Sequence, residues 1–156
     1  MKALFLFFFL ILGAFLAWPY TAVYRLEQAL IYDDQQTLQQ MIDVEAVREQ
    51  IKRKLNKNVE SNIGDVSNGF IDWLQSGIQR LGSNAVDEMV DLDWVVRQLR
   101  AHNPRFDKGG VYDKLTYAFF DGPDRLLLRI GELDDSPVHA HLSLQGTNWR
   151  ITAVYN

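Results

Sequence analysis

His139 and His141 stand two apart in the segment Pro137 to Gln145. Residues two apart on a strand project from one side, so these imidazoles could jointly hold a metal ion. A metal requires further ligands, and the only nearby carboxylates, Asp134 and Asp135, are close merely in sequence. The expected reading is therefore two histidines on a polar sheet face shared with Ser143 and Gln145, with no metal. Arg125 and Arg129 are likewise placed on one strand face and could bind an anion, but exposed charges are the expectation on a one-sided sheet. Asp33-Asp34 and Asp134-Asp135 offer paired carboxylates, yet both pairs fall in turn-like stretches, where aspartate is favoured for backbone reasons. The chain has no Gly-rich phosphate loop, nucleophile elbow, helical histidine pair or dinucleotide fingerprint. With no cysteine there is no thiol nucleophile, thiolate metal site, lipidated cysteine or disulfide. A non-catalytic chain without a cofactor is the expectation.

The elements that position these residues change period along the chain. In the last third, Tyr112 to Phe120, Arg125 to Leu133, Pro137 to Gln145 and Trp149 to Tyr155 alternate apolar and polar, separated by short turn-rich pieces. Such short connections demand antiparallel neighbours. Leu126, Leu128 and Ile130, then Val138, Ala140, Leu142 and Leu144, then Trp149, Ile151, Ala153 and Tyr155 can share one side of a four-stranded meander. Upstream the spacing becomes helical. Val23, Leu26 and Leu30 predict a helix, Asp33-Asp34 a turn, and Leu38, Met41 and Ile42 a short second helix. Asp43 is a candidate N-cap for Val44 to Lys57, where Val44, Val47, Ile51 and Leu55 form one apolar stripe. Residues 56–69 shift to Asn, Ser, Gly and Asp while keeping steps of three and four, which fits a broken helix. Phe70, Trp73, Leu74, Ile78 and Leu81 cluster on one side, Gly69 and Gly77 allow close approach of another backbone, and Asp87 to Ala101 predicts a further helix. The expected fold is α+β: amphipathic helices packed on one face of a four-stranded antiparallel β-meander, behind an N-terminal transmembrane helix.

That first helix dominates the location. Ala3 to Trp18 is an uncharged run of 16 residues, 11 of them Leu, Ile or Phe, and its insertion into a bilayer is favourable by about 5 kcal/mol. Leu4, Phe5, Leu6, Phe7, Phe8, Phe9, Leu10, Ile11, Leu12, Phe15 and Leu16 supply the lipid-facing surface, with Trp18 and Tyr20 at the headgroup level. A cleavable signal wants a shorter run ending in small residues two apart, whereas Phe15 stands two before Ala17. Sixteen residues span about 24 Å against a hydrocarbon core of ~30 Å, and Tyr20 to Val23 are available to prolong the span. A retained anchor over residues 1–23 is expected, followed by one exported domain over 24–156, helical over 24–101 and sheet over 112–155. Lys2 and the amino terminus place the N-terminus in the cytoplasm and, in a bacterium, the domain in the periplasm. With 16 Lys and Arg against 20 Asp and Glu, no chain-wide positive field invites nucleic acid. The exception is the helix after Asp43, whose Arg48, Lys52, Arg53, Lys54 and Lys57 face only Glu45 and Glu49. With Phe70 and Trp73, the residues Arg48, Lys52, Arg53 and Lys54 make a candidate interaction surface; the alternative is a solvated face steadied by Glu49 with Arg53.

Trp18-Pro19-Tyr20, Leu26, Ala29-Leu30, Asp34, Leu38, Ile42-Asp43, Val47-Arg48 and Leu55, with Trp149-Arg150-Ile151 near the end, resemble an uncharacterised family of short bacterial membrane-anchored proteins, a domain of unknown function. The resemblance implies an anchor and an exported domain, and it brings no activity, ligand or functional residue. The function expected is a membrane-tethered interaction module whose partners are the bilayer and an integral membrane protein or complex. The alternative is a periplasmic domain holding a small molecule or lipid between sheet and helices.

Overall fold

Despite Gly13 and Pro19, the apolar run and the helical spacing that follows it build one long helix. A computed structural model describes residues 2–60, 76–77, 84–100, 115–133 and 136–155. Helix α1 (Lys2–Ile31) runs through Pro19, which cannot donate to the Phe15 carbonyl and so omits one rung of the ladder. It ends where Asp33 adopts a left-handed backbone (φ 54°), a conformation that aspartate tolerates. The anchor run and the predicted helix Val23 to Leu30 are thus one element. The chain then reverses. Asp34 caps α2 (Gln35–Met41), accepting from the Thr37 N–H at 3.1 Å and the Thr37 hydroxyl at 2.6 Å. Asp43 caps α3 (Val44–Glu60) as expected, accepting from the Ala46 N–H at 3.1 Å.

The single helix expected over Asp87 to Ala101 is instead two, α4 (Ala85–Met89) and α5 (Leu92–Arg100). The Asp91 carboxylate accepts from the Trp94 N–H at 2.6 Å, so it starts a new helix rather than continuing the old one. The Val90 carbonyl at the break receives the Arg48 Nε–H at 2.8 Å. Gly77 is buried with the Met89 side chain where a Cβ would lie, so the close neighbour expected there is a side chain, not a backbone. Residues 61–75, 78–83, 101–114 and 134–135, including the aromatic stretch around Phe70 and Trp73 and most of the predicted break after Asn56, lie outside the described residues.

Strands β1 (Leu115–Gly122), β2 (Arg125–Ile130), β3 (Val138–Gln145) and β4 (Asn148–Tyr155) form the expected meander in the order 1-2-3-4. Leu126, Leu128 and Ile130 pair with Leu142, Ala140 and Val138, and this face is buried. One expectation fails at β4. His141 pairs with Ala153 but Leu142 pairs with Ile151, leaving Thr152 as an extra residue without a partner. The bulge reverses the alternation, so Trp149, Ile151 and Val154 share the face of Leu144, Leu142 and Ala140, while Tyr155 joins His139 on the opposite face. Deleting Thr152 should therefore restore a regular ladder with every core residue still inward. The expected cost is about 1–2 kcal/mol, for hydroxyl bonds such as the one to Ser143 at 2.8 Å. Deleting Arg150 instead breaks the Trp149/Ile151 alternation and should prevent folding. Urea unfolding of the two deletion variants distinguishes them, and equal damage would mean that the bulge is not where the register places it.

The covered face carries one hydrophobic cluster that includes Val23, Leu26 and Leu30 of α1, Leu38 of α2, Val47 and Ile51 of α3, and Val95 and Leu99 of α5. Between α2 and α3 the chain adds a parallel bridge from Ile42 to Ile151, and the Asp43 N–H bonds the Ile151 carbonyl at 2.9 Å. That contact and α3 together cover the edge of β4, which would otherwise present unpaired backbone groups.

Candidate functional site

The two halves of α1 have opposite environments. From Leu4 to Trp18 the side chains are exposed, Phe8 at 60% and Ile11 at 54%, while Val23, Leu26 and Leu30 are sealed in the core. Residues 4–31 are long and apolar enough to cross a bilayer, a description that a signal sequence also meets. Tyr20, expected at the headgroup level, donates its hydroxyl to the Ala118 carbonyl of β1 at 3.2 Å. Ala22 and Val23 are buried against the domain, so the stretch free to meet lipid ends before them. The helix is continuous between the greasy half and the packed half, with the rung lost at Pro19 lying at their boundary.

On the uncovered face of the sheet the structure gathers a titratable cluster. The His139 ring stacks on Tyr155 at 5.3 Å, and His141 Nε2 lies 2.9 Å from the Tyr155 hydroxyl. Lys54 of α3 places its Nζ 3.4 Å above the same phenol ring, and Asp121 Oδ2 is 3.8 Å from His141 Nδ1. The histidines do share a face, as their spacing predicts, and the bulge supplies Tyr155 to it. Among the described residues, no group of three or more His, Asp or Glu is placed to share a metal ion. Burial lowers the His139 pKa, helped by the Arg129 and Lys54 charges. Burial likewise lowers that of His141, against the pull of Asp121 and with the Arg125, Lys54 and His139 charges. Tyr155 is pushed up by burial and by Asp121, which makes it a poor nucleophile and a competent hydrogen-bond donor.

A histidine that the fold holds below its ordinary 6.5 binds fewer protons folded than unfolded. Stability is then complete above pH 6.5 and is lost as pH falls from that value through the folded pKa. Urea midpoints should drop as pH falls below 6.5, and His141→Gln should flatten that drop. A wild-type midpoint constant across the window would contradict the burial of the cluster.

Arginines and lysines singled out in α3 are mostly committed within the chain. Arg48 holds Val90 and Glu45, Lys52 bridges Glu49 at 3.3 Å and Asp87 at 2.8 Å, and Lys54 lies over Tyr155. Arg53 forms no ion pair among the described residues and points into a shallow cleft with Arg125 and His141. Arg125 and Arg129 also stay at home. The former is 3.8 Å from Asp121, and the latter donates to the Thr116 hydroxyl at 3.0 Å and lies 5.6 Å from the Tyr117 ring.

A feature that the sequence reading missed lies at the foot of the domain. Trp18, Thr21, Ala22 and Arg25 of α1, Gln40 and Met41 of α2, and Thr147 to Arg150 of the β3–β4 hairpin line a half-open cavity of about 390 Å³. Arg150 is fixed there by the Gln145 side chain and the Ile42 carbonyl, both at 3.2 Å, with Asp43 at 3.8 Å. Burial pushes the Asp43 carboxyl up. The Gln145 and Ala46 hydrogen bonds, the Arg150 charge and the Glu45 N–H outweigh this and hold it below its ordinary value. The spacing 18, 21, 22, 25 on α1 is the one sequence signal that this side of the helix continues past the apolar run.

Fold and site together define an α+β domain led by a helix able to cross a membrane. The chain belongs to the family described as "Protein of unknown function (DUF2939)", whose model matches residues 8–98. That match contains the Trp18 to Leu55 segment that carries the best part of the resemblance, while Trp149-Arg150-Ile151 lies outside it. No curated protein and no solved structure matches the chain.

Proposed function

We propose that this protein is a membrane-tethered, non-catalytic interaction module, an accessory or assembly subunit of a bacterial inner-membrane complex. Its N-terminus lies in the cytoplasm and its domain in the periplasm. The observation that carries the reading is the continuity of α1, one helix exposed and apolar at its start and buried at its end. A flexible linker would let a domain search a volume of the periplasm. A helix shared between span and core instead holds the domain at one height and tilt, which suits docking against another component of the same membrane. Support for the orientation comes from Lys2 and the amino terminus ahead of the span. The absence of catalysis is supported by the commitment of His141 to Tyr155 and by the raised pKa of that tyrosine. Purification of the full chain from its own membranes in a mild detergent tests the reading. An integral membrane protein should co-purify at fixed stoichiometry through a high-salt wash. Recovery of the chain alone, at the size of one polypeptide in a micelle, would overturn it.

A further inference from the structure

We propose that the cavity at the foot of the domain binds the headgroup of an anionic phospholipid, with Arg25 and Arg150 holding the phosphate. The inference rests on the retained anchor proposed above. Its first support is height. The 16-residue run from Ala3 to Trp18 covers about 24 Å, short of the ~30 Å hydrocarbon core, and Val23, fully buried in the domain, is not available to lengthen it. A span this short thins the bilayer or draws the foot of the domain into the headgroup layer. Trp18, the residue at that boundary, is itself part of the cavity wall. The cavity rises from there toward Arg25, two turns or about 10 Å along α1.

Chemistry is the second support. The chain carries net charge −4, yet the cavity wall has two arginines and no carboxylate. Arg25 makes no ion pair among the described residues. Arg150 is held in place by its neighbours, and Asp43 at 3.8 Å offsets part of its charge, but its Nε is buried without a hydrogen-bond partner. The adjacent Trp149 is 3% exposed and its indole Nε1 is also buried, with no partner among the described residues. Neither nitrogen is open to the cavity; the donors available to an anion there are the exposed Arg25 guanidinium and the partly exposed one of Arg150. Guanidinium groups match phosphate oxygens in a bidentate fashion. A volume of about 390 Å³ lies within the range of small-ligand sites, and Ala22 and Met41 in the wall suit the glycerol and first methylenes of a lipid.

The test uses the full chain in phosphatidylcholine vesicles with and without phosphatidylglycerol, extracted gently and weighed with its bound lipid by native mass spectrometry. Phosphatidylglycerol should be retained over phosphatidylcholine, and Arg25→Gln should reduce that preference by about tenfold or more, the worth of one charge-assisted hydrogen bond. Because Arg25 is exposed, the urea midpoint of Arg25→Gln should equal that of the wild type. Equal retention of the two lipids, or an unchanged preference in Arg25→Gln, overturns the inference while leaving the anchor intact. A third arm adds inorganic phosphate to the lipid-free chain in neutral detergent. Protection from unfolding that is abolished by Arg25→Gln, without lipid selectivity, would assign the site to soluble anions and overturn the lipid source. A chain that never enters the vesicle fraction overturns both this inference and the anchor.

Discussion

Leu26→Ala should cost the domain about 3–4 kcal/mol, a large part of the ~5–15 kcal/mol that holds a domain of this size together. Leu26 is 1% exposed and belongs to the cluster that joins α1 to the sheet. Its removal leaves a cavity walled by other elements, which can close only partly because each is pinned elsewhere. Asp43 ties α3 to β4, and the Arg100 side chain ties α5 to the Leu30 carbonyl and to Asp33 at 3.0 Å. Urea unfolding of the full chain in detergent, followed by tryptophan fluorescence, measures the loss as a lower midpoint at unchanged slope. Membrane association should be untouched. A loss below about 1 kcal/mol would mean that this turn of α1 faces lipid or water instead of the core.

The opposite phenotype is expected from the other end of the same helix. Phe8→Arg combined with Ile11→Arg places two charges near the middle of the apolar run, at about 2.5–3.5 kcal/mol each on an insertion scale. Together they cancel the ~5 kcal/mol that favours insertion, so the chain should shift from the membrane pellet to the soluble or aggregated fraction. Both side chains are exposed and neither belongs to the hydrophobic cluster, so the urea midpoint of the domain should not move. Retention in the pellet after alkaline washing would show that something other than this run holds the protein to the membrane.

Much of the architecture is legible in the residues because period and caps act locally. Leu126, Leu128 and Ile130 alternate, so β2 and its inward face follow; Asp43 before Val44, Val47 and Ile51 marks the start of α3 and its buried side. What escaped has a common cause. Thr152 looks like any β-branched strand residue, and nothing local distinguishes a bulged position from a paired one; only the pairing with β3 decides it. Asp91 could have continued a helix or capped one, and the choice depends on Arg48 reaching the Val90 carbonyl from forty-two positions away in sequence. Ala22 and Val23 are apolar for the core, yet the same residues would suit lipid equally, so composition cannot separate the end of the span from the start of the domain. Spacing alone puts the paired histidines on one face, while Tyr155 and Lys54, which give them their surroundings, come from a bulge and a distant helix. The cavity at the foot exists only once α1, α2 and the β3–β4 hairpin meet, so no window of sequence contains it.

The proposed continuity of α1 from bilayer to core is tested most directly by the intact mass of the native polypeptide recovered from washed membranes. A single species that begins at Met1 or Lys2, retained through an alkaline carbonate wash, is the predicted result. A species that begins beyond Trp18 and leaves with the wash would show that the apolar half of α1 is discarded, and it would contradict the tethered arrangement.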